Sequence, residues 1–133
     1  MTGADFKHEL VAGSRDAGNG HVDNTVFPAY VASVREAFLR ETVPRFEEYG
    51  RPVARLEVDY HAELFAGDRI VGEIEVLEVG TTSLTTEVTL WRGDEKAATG
   101  KTVQVIVDPE ADEPTPVPED WRAALTKRVP PSA

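Results

Sequence analysis

Residues 25–42 read TVFPAYVASVREAFLRET, and their spacing decides what kind of fold the chain can adopt. Phe27, Tyr30, Val31, Val34, Ala37 and Phe38 recur at the intervals that place side chains on one face of an α-helix. Asp23 and Asn24 stand just before this run. Their short side-chain oxygens can accept a hydrogen bond from an open backbone N–H, so either can cap the helix start. Pro28 fits only the first turn, where a missing N–H is harmless. Pro44 ends the helix, and Gly50 with Pro52 closes the segment.

Downstream the period changes. Leu56, Val58, Tyr60, Ala62 and Leu64 alternate with Arg55, Glu57, Asp59, His61 and Glu63, the pattern of a half-buried antiparallel strand. Ala66-Gly67-Asp68 is a turn. Ile70, Gly72, Ile74 and Val76 give a second strand, followed by Gly80, and Leu84, Thr86, Val88 and Leu90 give a third. Arg92-Gly93-Asp94 signals a hairpin, and residues 97–107 a fourth strand. Upstream of the helix, Phe6 to Val11 can form a short strand, and residues 13–20 are a loop of Gly, Ser, Asp and Asn. Residues 109–118 are rich in proline and acids and read as an extended linker, before a short terminal helix over 118–128 with Trp121 and Leu125 on one face. Sequential strands with short turns pair as an antiparallel meander. One long amphipathic helix against such a sheet of about five strands is an α+β domain, expected to span residues 1–133 as one unit. A single helix leaves sheet edges open. Pairing of edges between two copies, as a dimer or a dimer of dimers, is the expected remedy.

Composition narrows the function. The 133 residues are 41% hydrophobic, enough for a core, and the formal net charge of -10 argues against nucleic acid and against anionic membranes. There is no cysteine, which excludes disulfides, thiolate metal sites and a cysteine nucleophile. With 3 histidines and no cysteine, a metal site is not expected. Residues 1–6 lack the basic-then-apolar pattern of a signal peptide, and no apolar run approaches the roughly 18 residues that span a bilayer. A cytoplasmic location is the resulting expectation.

The chemistry concentrates in Arg15-Asp16-Ala17-Gly18-Asn19-Gly20-His21-Val22-Asp23-Asn24, immediately before the helix. Backbone N–H groups at a helix start carry partial positive charge and can hold an oxyanion. Polar side chains gathered there suit an acyl-transfer site. An ordinary capped loop would look similar, and these residues alone leave both readings open.

Gly20-His21-Val22-Asp23-Asn24, followed by Phe27, Tyr30 and Arg35, resembles the Gly-His-Val-Asn-Asn, Tyr, Tyr, Arg pattern of hotdog-fold thioesterases of the 4-hydroxybenzoyl-CoA thioesterase type. The likeness continues through residues 53–68, through Ala98-Thr99-Gly100-Lys101, and through Val117-Pro118-Glu119. Asn19 to Asn24 is also similar to the Asn-x-His-Val-Asn-Asn run of plant-type acyl carrier protein thioesterases. The resemblance implies a hotdog fold, a long central helix wrapped by an antiparallel sheet. It further implies hydrolysis of an acyl-CoA thioester, with coenzyme A as part of the substrate and no separate cofactor. If the chemistry is hydrolysis, Asp16 or Asp23 is expected as general base or nucleophile, with His21 and Asn19 positioning water or substrate. Asn24, Phe27, Tyr30, Thr82 and Ser83 are the candidates to line the acyl site, and Arg92, Lys96 and Lys101 the candidates to meet coenzyme A phosphates. Glu36 is a further candidate acid. One departure stands out. The family's catalytic Asp falls on Ala17, and the nearest acid is Asp16, one residue earlier. Two other readings remain beside it. Asp16 and His21 have the spacing of the Asp-x-Asn-Pro-x-His run of hotdog enoyl-CoA hydratases, and Ala17 could mark a thioester-binding protein without catalysis.

Overall fold

The computed structural model describes residues 6–18 and 20–129. Five strands form one antiparallel sheet: β1 (Lys7–Val11), β2 (Val53–Tyr60), β3 (Arg69–Val79), β4 (Ser83–Arg92) and β5 (Glu95–Val105), in the order β1-β3-β4-β5-β2. The short connections at Gly80 and Gly93 force β3, β4 and β5 to run antiparallel, since parallel neighbours need a long crossover. β1 closes one side of the sheet antiparallel to β3, with Leu10 opposite Ile70 and Lys7 opposite Glu73. The long helix α1 (Phe27–Thr42) and a short α2 (Glu119–Thr126) complete an α+β fold. Two-residue strands β6 (Val107–Asp108) and β7 (Glu113–Pro114) pair with one another.

Contact density divides the chain into two compact units. The first comprises residues through Phe38, Val58–Ile74 and Val88–Gly100. Its core gathers Phe27, Tyr30, Val31, Val34 and Phe38 from α1 with Ile70, Ile74, Val88, Leu90 and Ala98 from the strands. These are the helix positions selected by the apolar period, with Ala37 half-buried beside them. Gly72 and Gly100 fix how closely α1 lies on its strands. A Cβ at Gly72 would stand 2.2 Å from Val34 Cγ2, and one at Gly100 would stand 2.7 Å from Val31 Cγ2. Both strands therefore require glycine, because the valines occupy the space a methyl would need.

The second unit comprises Leu39–Glu57, Glu75–Glu87 and the chain from Lys101. Trp121 is fully buried and donates its indole N–H to the Pro44 carbonyl. Arg122 donates to the carbonyls of Val79 and Gly80, at 3.3 and 2.7 Å. Arg45 holds Asp120 through both carboxylate oxygens, at 2.7 and 2.6 Å.

Several boundaries differ from the sequence reading. The helix begins at Phe27, not Thr25, because residues 24–26 form a turn in which Val26 N–H returns to the Asp23 carbonyl. The strand expected through Leu64 stops at Tyr60. There the amides of His61 and Ala62 both turn to the Ala97 carbonyl, at 2.8 and 3.1 Å. That strand was expected to be half-buried, yet β2 is almost wholly exposed, since it is the last strand of the sheet. Val107 leaves β5 for β6. The 109–118 segment is more than a linker, because Thr115 and Val117 donate to the Ile106 and Thr81 carbonyls, each at 2.9 Å.

Gly72→Ala is expected to destabilise the protein by about 1–3 kcal/mol through overpacking. Combined with Val34→Ala the loss should be less than the sum of the two, because the second change vacates the space the first one needs. Urea unfolding of the three variants checks both statements.

Candidate active site

The site is built where the loop before α1 meets the segment after β2, within the first unit. Ser14–Asp16 is one turn of 3-10 helix, with Ala17 buried behind it. This turn aims the half-buried Asp16 side chain at α1, where Tyr30 donates its hydroxyl to Asp16 Oδ2 at 2.8 Å. Burial raises the Tyr30 phenol well above its ordinary range, and the hydrogen bond to Asp16 and its negative charge raise it further. Tyr30 is therefore a permanent donor to Asp16 rather than a group that ionises. The Asp16 carbonyl accepts the Asp23 N–H at 3.1 Å, which ties the loop to the residues before the helix.

Next to this lies a cavity of about 380 Å³ lined by His21, Val22, Asp23, Asn24 and Phe27 on one side and by Tyr60, His61, Ala62 and Glu63 on the other. Phe27 and Tyr60 pack with ring centroids 5.1 Å apart. The Tyr60 hydroxyl donates to the Asn24 carbonyl at 2.7 Å, which holds the two sides together. His21 is exposed, while its neighbour Val22 is buried and donates its N–H to the Leu64 carbonyl at 2.6 Å.

Asp23 Oδ1 accepts both the backbone N–H and the hydroxyl of Thr25, at 2.8 and 2.6 Å. The Thr25 hydroxyl, then its amide, with a smaller pull from the charge of His21, hold the Asp23 carboxyl below its usual value. A carboxylate held this way is a weaker base, and its geometry is that of a turn cap. Among the described residues, Val26 donates to Asp23 O, and Ala29 and Tyr30 donate to Val26 O; Pro28 has no N–H, and the amides of Asn24 and Phe27 take no such partner.

The structure thus brings Asp16, His21, Asp23, Asn24, Phe27 and Tyr30 into one neighbourhood, and Asn19 lies outside the described residues. The remaining candidates lie elsewhere. Thr82 and Ser83 sit in the second unit, where their carbonyls accept the amides of Ile106 and Gly80. Lys101 lines a separate concavity of about 270 Å³ in that unit, with Arg55, Glu57, Leu77, Glu78, Thr85 and Val103. Lys96 is exposed, its ammonium 5.9 Å from the Trp91 ring centroid. Arg92 is bonded to Asp68 and Glu95. Glu36 is half-exposed, and its Oε2 lies 3.7 Å from Nε of the buried Arg35. Among the described residues, no group of three or more His, Asp or Glu side chains gathers to hold a metal. No helix among them is long and apolar enough to cross a membrane.

Tyr60, His61, Ala62 and Glu63 escaped the sequence reading as site residues. Strict alternation would send His61 and Glu63 to the face opposite Tyr60 and Ala62. The break in the strand after Tyr60 puts all four on one cavity, and no local sequence signal marks that break.

Residues 14–125 match the family described as the thioesterase-like superfamily, and the chain belongs to it. Among solved structures, a thioesterase of Thermus thermophilus, crystallised with coenzyme A and zinc, is 29% identical, with 92% of this chain and 98% of that chain covered at a TM-score of 0.82. A thioesterase-superfamily protein from Jannaschia sp. CCS1 is 18% identical over 98% and 96% of the two chains, with a TM-score of 0.90. A 1,4-dihydroxy-2-naphthoyl-CoA thioesterase of Synechocystis is 17% identical over 91% and 95%, with a TM-score of 0.80. No curated protein sequence matches the chain. The fold is accordingly the hotdog fold and the class is thioester hydrolase, in agreement with the sequence resemblance.

Asp23→Ala is expected to lower the melting temperature at pH 7 through loss of the Thr25 cap. Because the Asp23 pKa is lowered in the folded state, its contribution is present above the ordinary value of 3.8 and disappears as pH falls through the lowered one. The gap in melting temperature between wild type and variant should therefore close at strongly acidic pH, which calorimetry across pH can measure.

Proposed function

We propose that the protein hydrolyses an acyl-CoA thioester at the cavity before α1, with Asp16 as the catalytic carboxylate. The observation that carries this reading is the Tyr30–Asp16 hydrogen bond. It fixes an acid, bonded through its carbonyl to the cavity-lining Asp23, through a side chain anchored in the helix, despite the alanine at position 17. Coenzyme A as the thiol rests on the likeness to the Thermus thermophilus thioesterase that binds it.

In this reading the acyl carbonyl lies at the helix start, where the N–H groups of Asn24 and Phe27 donate to its oxygen as negative charge develops there. Asp16 takes a proton from the attacking water. The water oxygen bonds to the carbonyl carbon, the carbon–sulfur bond breaks, and the departing thiolate takes that proton from Asp16, which gives free coenzyme A and the acid and restores the carboxylate. His21 orients water or substrate at the cavity mouth, with Asn19 in the same role. Asp23 serves the turn that presents the amides. Phe27 and Tyr60 form the apolar wall for the acyl group. Lys96, exposed in the same unit as the cavity, is the cation offered to the coenzyme A phosphates.

The working form in this proposal is at least a dimer. Among the described residues β2 has one neighbour in the sheet and its outer edge meets no second strand, and Val53, Leu56 and Tyr60 are 48%, 39% and 48% exposed along it. Pairing of two such edges would cover these side chains and the open hydrogen-bonding groups together. Tyr60 belongs to both the edge and the cavity, so a second copy would also wall the site.

Asp16→Ala is expected to lower kcat for acyl-CoA hydrolysis by about 10²–10⁴-fold, tested on a panel of short, medium, long and aromatic acyl-CoAs. Retained turnover would remove Asp16 from the role and leave Asp23, Glu36 or Glu63. In sedimentation equilibrium the wild type should run at a multiple of 14.6 kDa. Val58→Pro, which removes an edge donor, should shift it toward the monomer; a wild-type monomer would sink the edge-pairing proposal.

A further inference from the structure

Outside the cavity, one ion pair is placed to govern it. Phe65 donates its N–H to Asp68 Oδ2 at 2.7 Å, and Asp68 returns its own N–H to the Phe65 carbonyl at 3.0 Å. Gly67, at φ +86°, supplies the left-handed step that this tight turn needs. Arg92 donates Nη1 to the same Asp68 Oδ2 at 3.2 Å and Nη2 to Glu95 Oε1 at 2.8 Å. Its guanidinium carbon also lies 5.3 Å from the centre of the Phe65 ring. The Asp68 and Phe65 side chains of the turn are thus held from the end of β4.

The turn in turn holds the site loop. The Asp68 carbonyl accepts the Ala12 N–H at 3.0 Å, and Gly67 donates to the Ala12 carbonyl at 2.8 Å, so the end of β1 is fastened to it. The two residues that lead into the turn reach the cavity directly. Leu64 accepts the Val22 N–H at 2.6 Å, and His21 pairs with Phe65 as an isolated antiparallel bridge. His21 and Val22 both line the cavity.

We infer that Asp68 and Arg92 are positioning residues for the thioester site: their ion pair locks the 65–68 turn, and the turn holds the backbone of His21 and Val22 at the cavity. The inference rests on the cavity being that site. It also gives Arg92 a role other than the coenzyme A contact expected from the sequence, since its guanidinium is already shared between two carboxylates. The pair is partly exposed, with side chains 35% and 22% accessible, so its own contribution to stability is modest. Its effect is geometric, because a small displacement of a positioned group lowers the rate far more than it lowers stability.

The test compares wild type, Arg92→Gln, Arg92→Lys and Asp68→Asn on an acyl-CoA and on the same acyl group carried by N-acetylcysteamine, which has no phosphate. Arg92→Gln and Asp68→Asn are expected to lower kcat about tenfold on both substrates, with KM changed less than about twofold, and Arg92→Lys should recover part of the loss. Hydrogen exchange at the Val22 amide should quicken in Arg92→Gln and Asp68→Asn while the Val117 amide, bonded in the second unit, keeps its wild-type rate. A KM increase confined to acyl-CoA, with kcat intact, would overturn the inference and make Arg92 a phosphate ligand. Unchanged kcat with unchanged Val22 exchange would overturn it as well. Wild type inactive on both thioesters would defeat the reading of the cavity instead, and Val22 exchange would still decide whether the pair positions the loop.

Discussion

The structure depends on the close approach of α1 to the strands beneath it at Gly72 and Gly100. Val34 and Val31 fill the volume that any side chain at those strand positions would need. Interiors packed at this density leave little freedom for the helix to slide or roll. Fixing the helix also fixes its first turn, and with it the direction of the Asn24 and Phe27 amides and the height of the Tyr30 hydroxyl. The chemistry of the loop is therefore set by a steric constraint in the core, and two glycines with no polar atoms in their side chains belong to the logic of the site.

The loop before α1 carries an alanine at position 17, and Ala17 is buried. The acid one residue earlier sits on a turn of 3-10 helix that faces α1, where a tyrosine hydroxyl waits for it. The same segment separates two carboxylates by environment. Asp16 is half-buried and held by a phenol, whereas Asp23 is exposed and bonded at Oδ1 to Thr25. One is tied to the helix side chain Tyr30, and the other caps the turn that leads into the helix. Such a division of labour among neighbouring acids follows from what each one hydrogen-bonds.

The acidity of the chain places demands on any anionic substrate. Of the basic side chains considered for coenzyme A, Arg92 is engaged within the protein, with Asp68 and Glu95. Lys96 and Lys101, both exposed, keep their charge toward solvent.

The sequence by itself determined the helix over most of 25–42, the strands downstream, the α+β class and the loop that carries Asp16 and His21. These follow from local periodicity, capping and turn chemistry, which act between residues close along the chain. The tertiary structure decided the rest. It ended β2 at Tyr60, because the Ala97 carbonyl, distant in sequence, captures the next two amides. That break turned His61 and Glu63 from strand-surface residues into cavity wall. It paired Tyr30 with Asp16, 14 positions apart, and committed Arg92 to Asp68, 24 positions away. Contacts at such separations depend on where the whole chain passes, and no window of sequence contains both partners and the path between them.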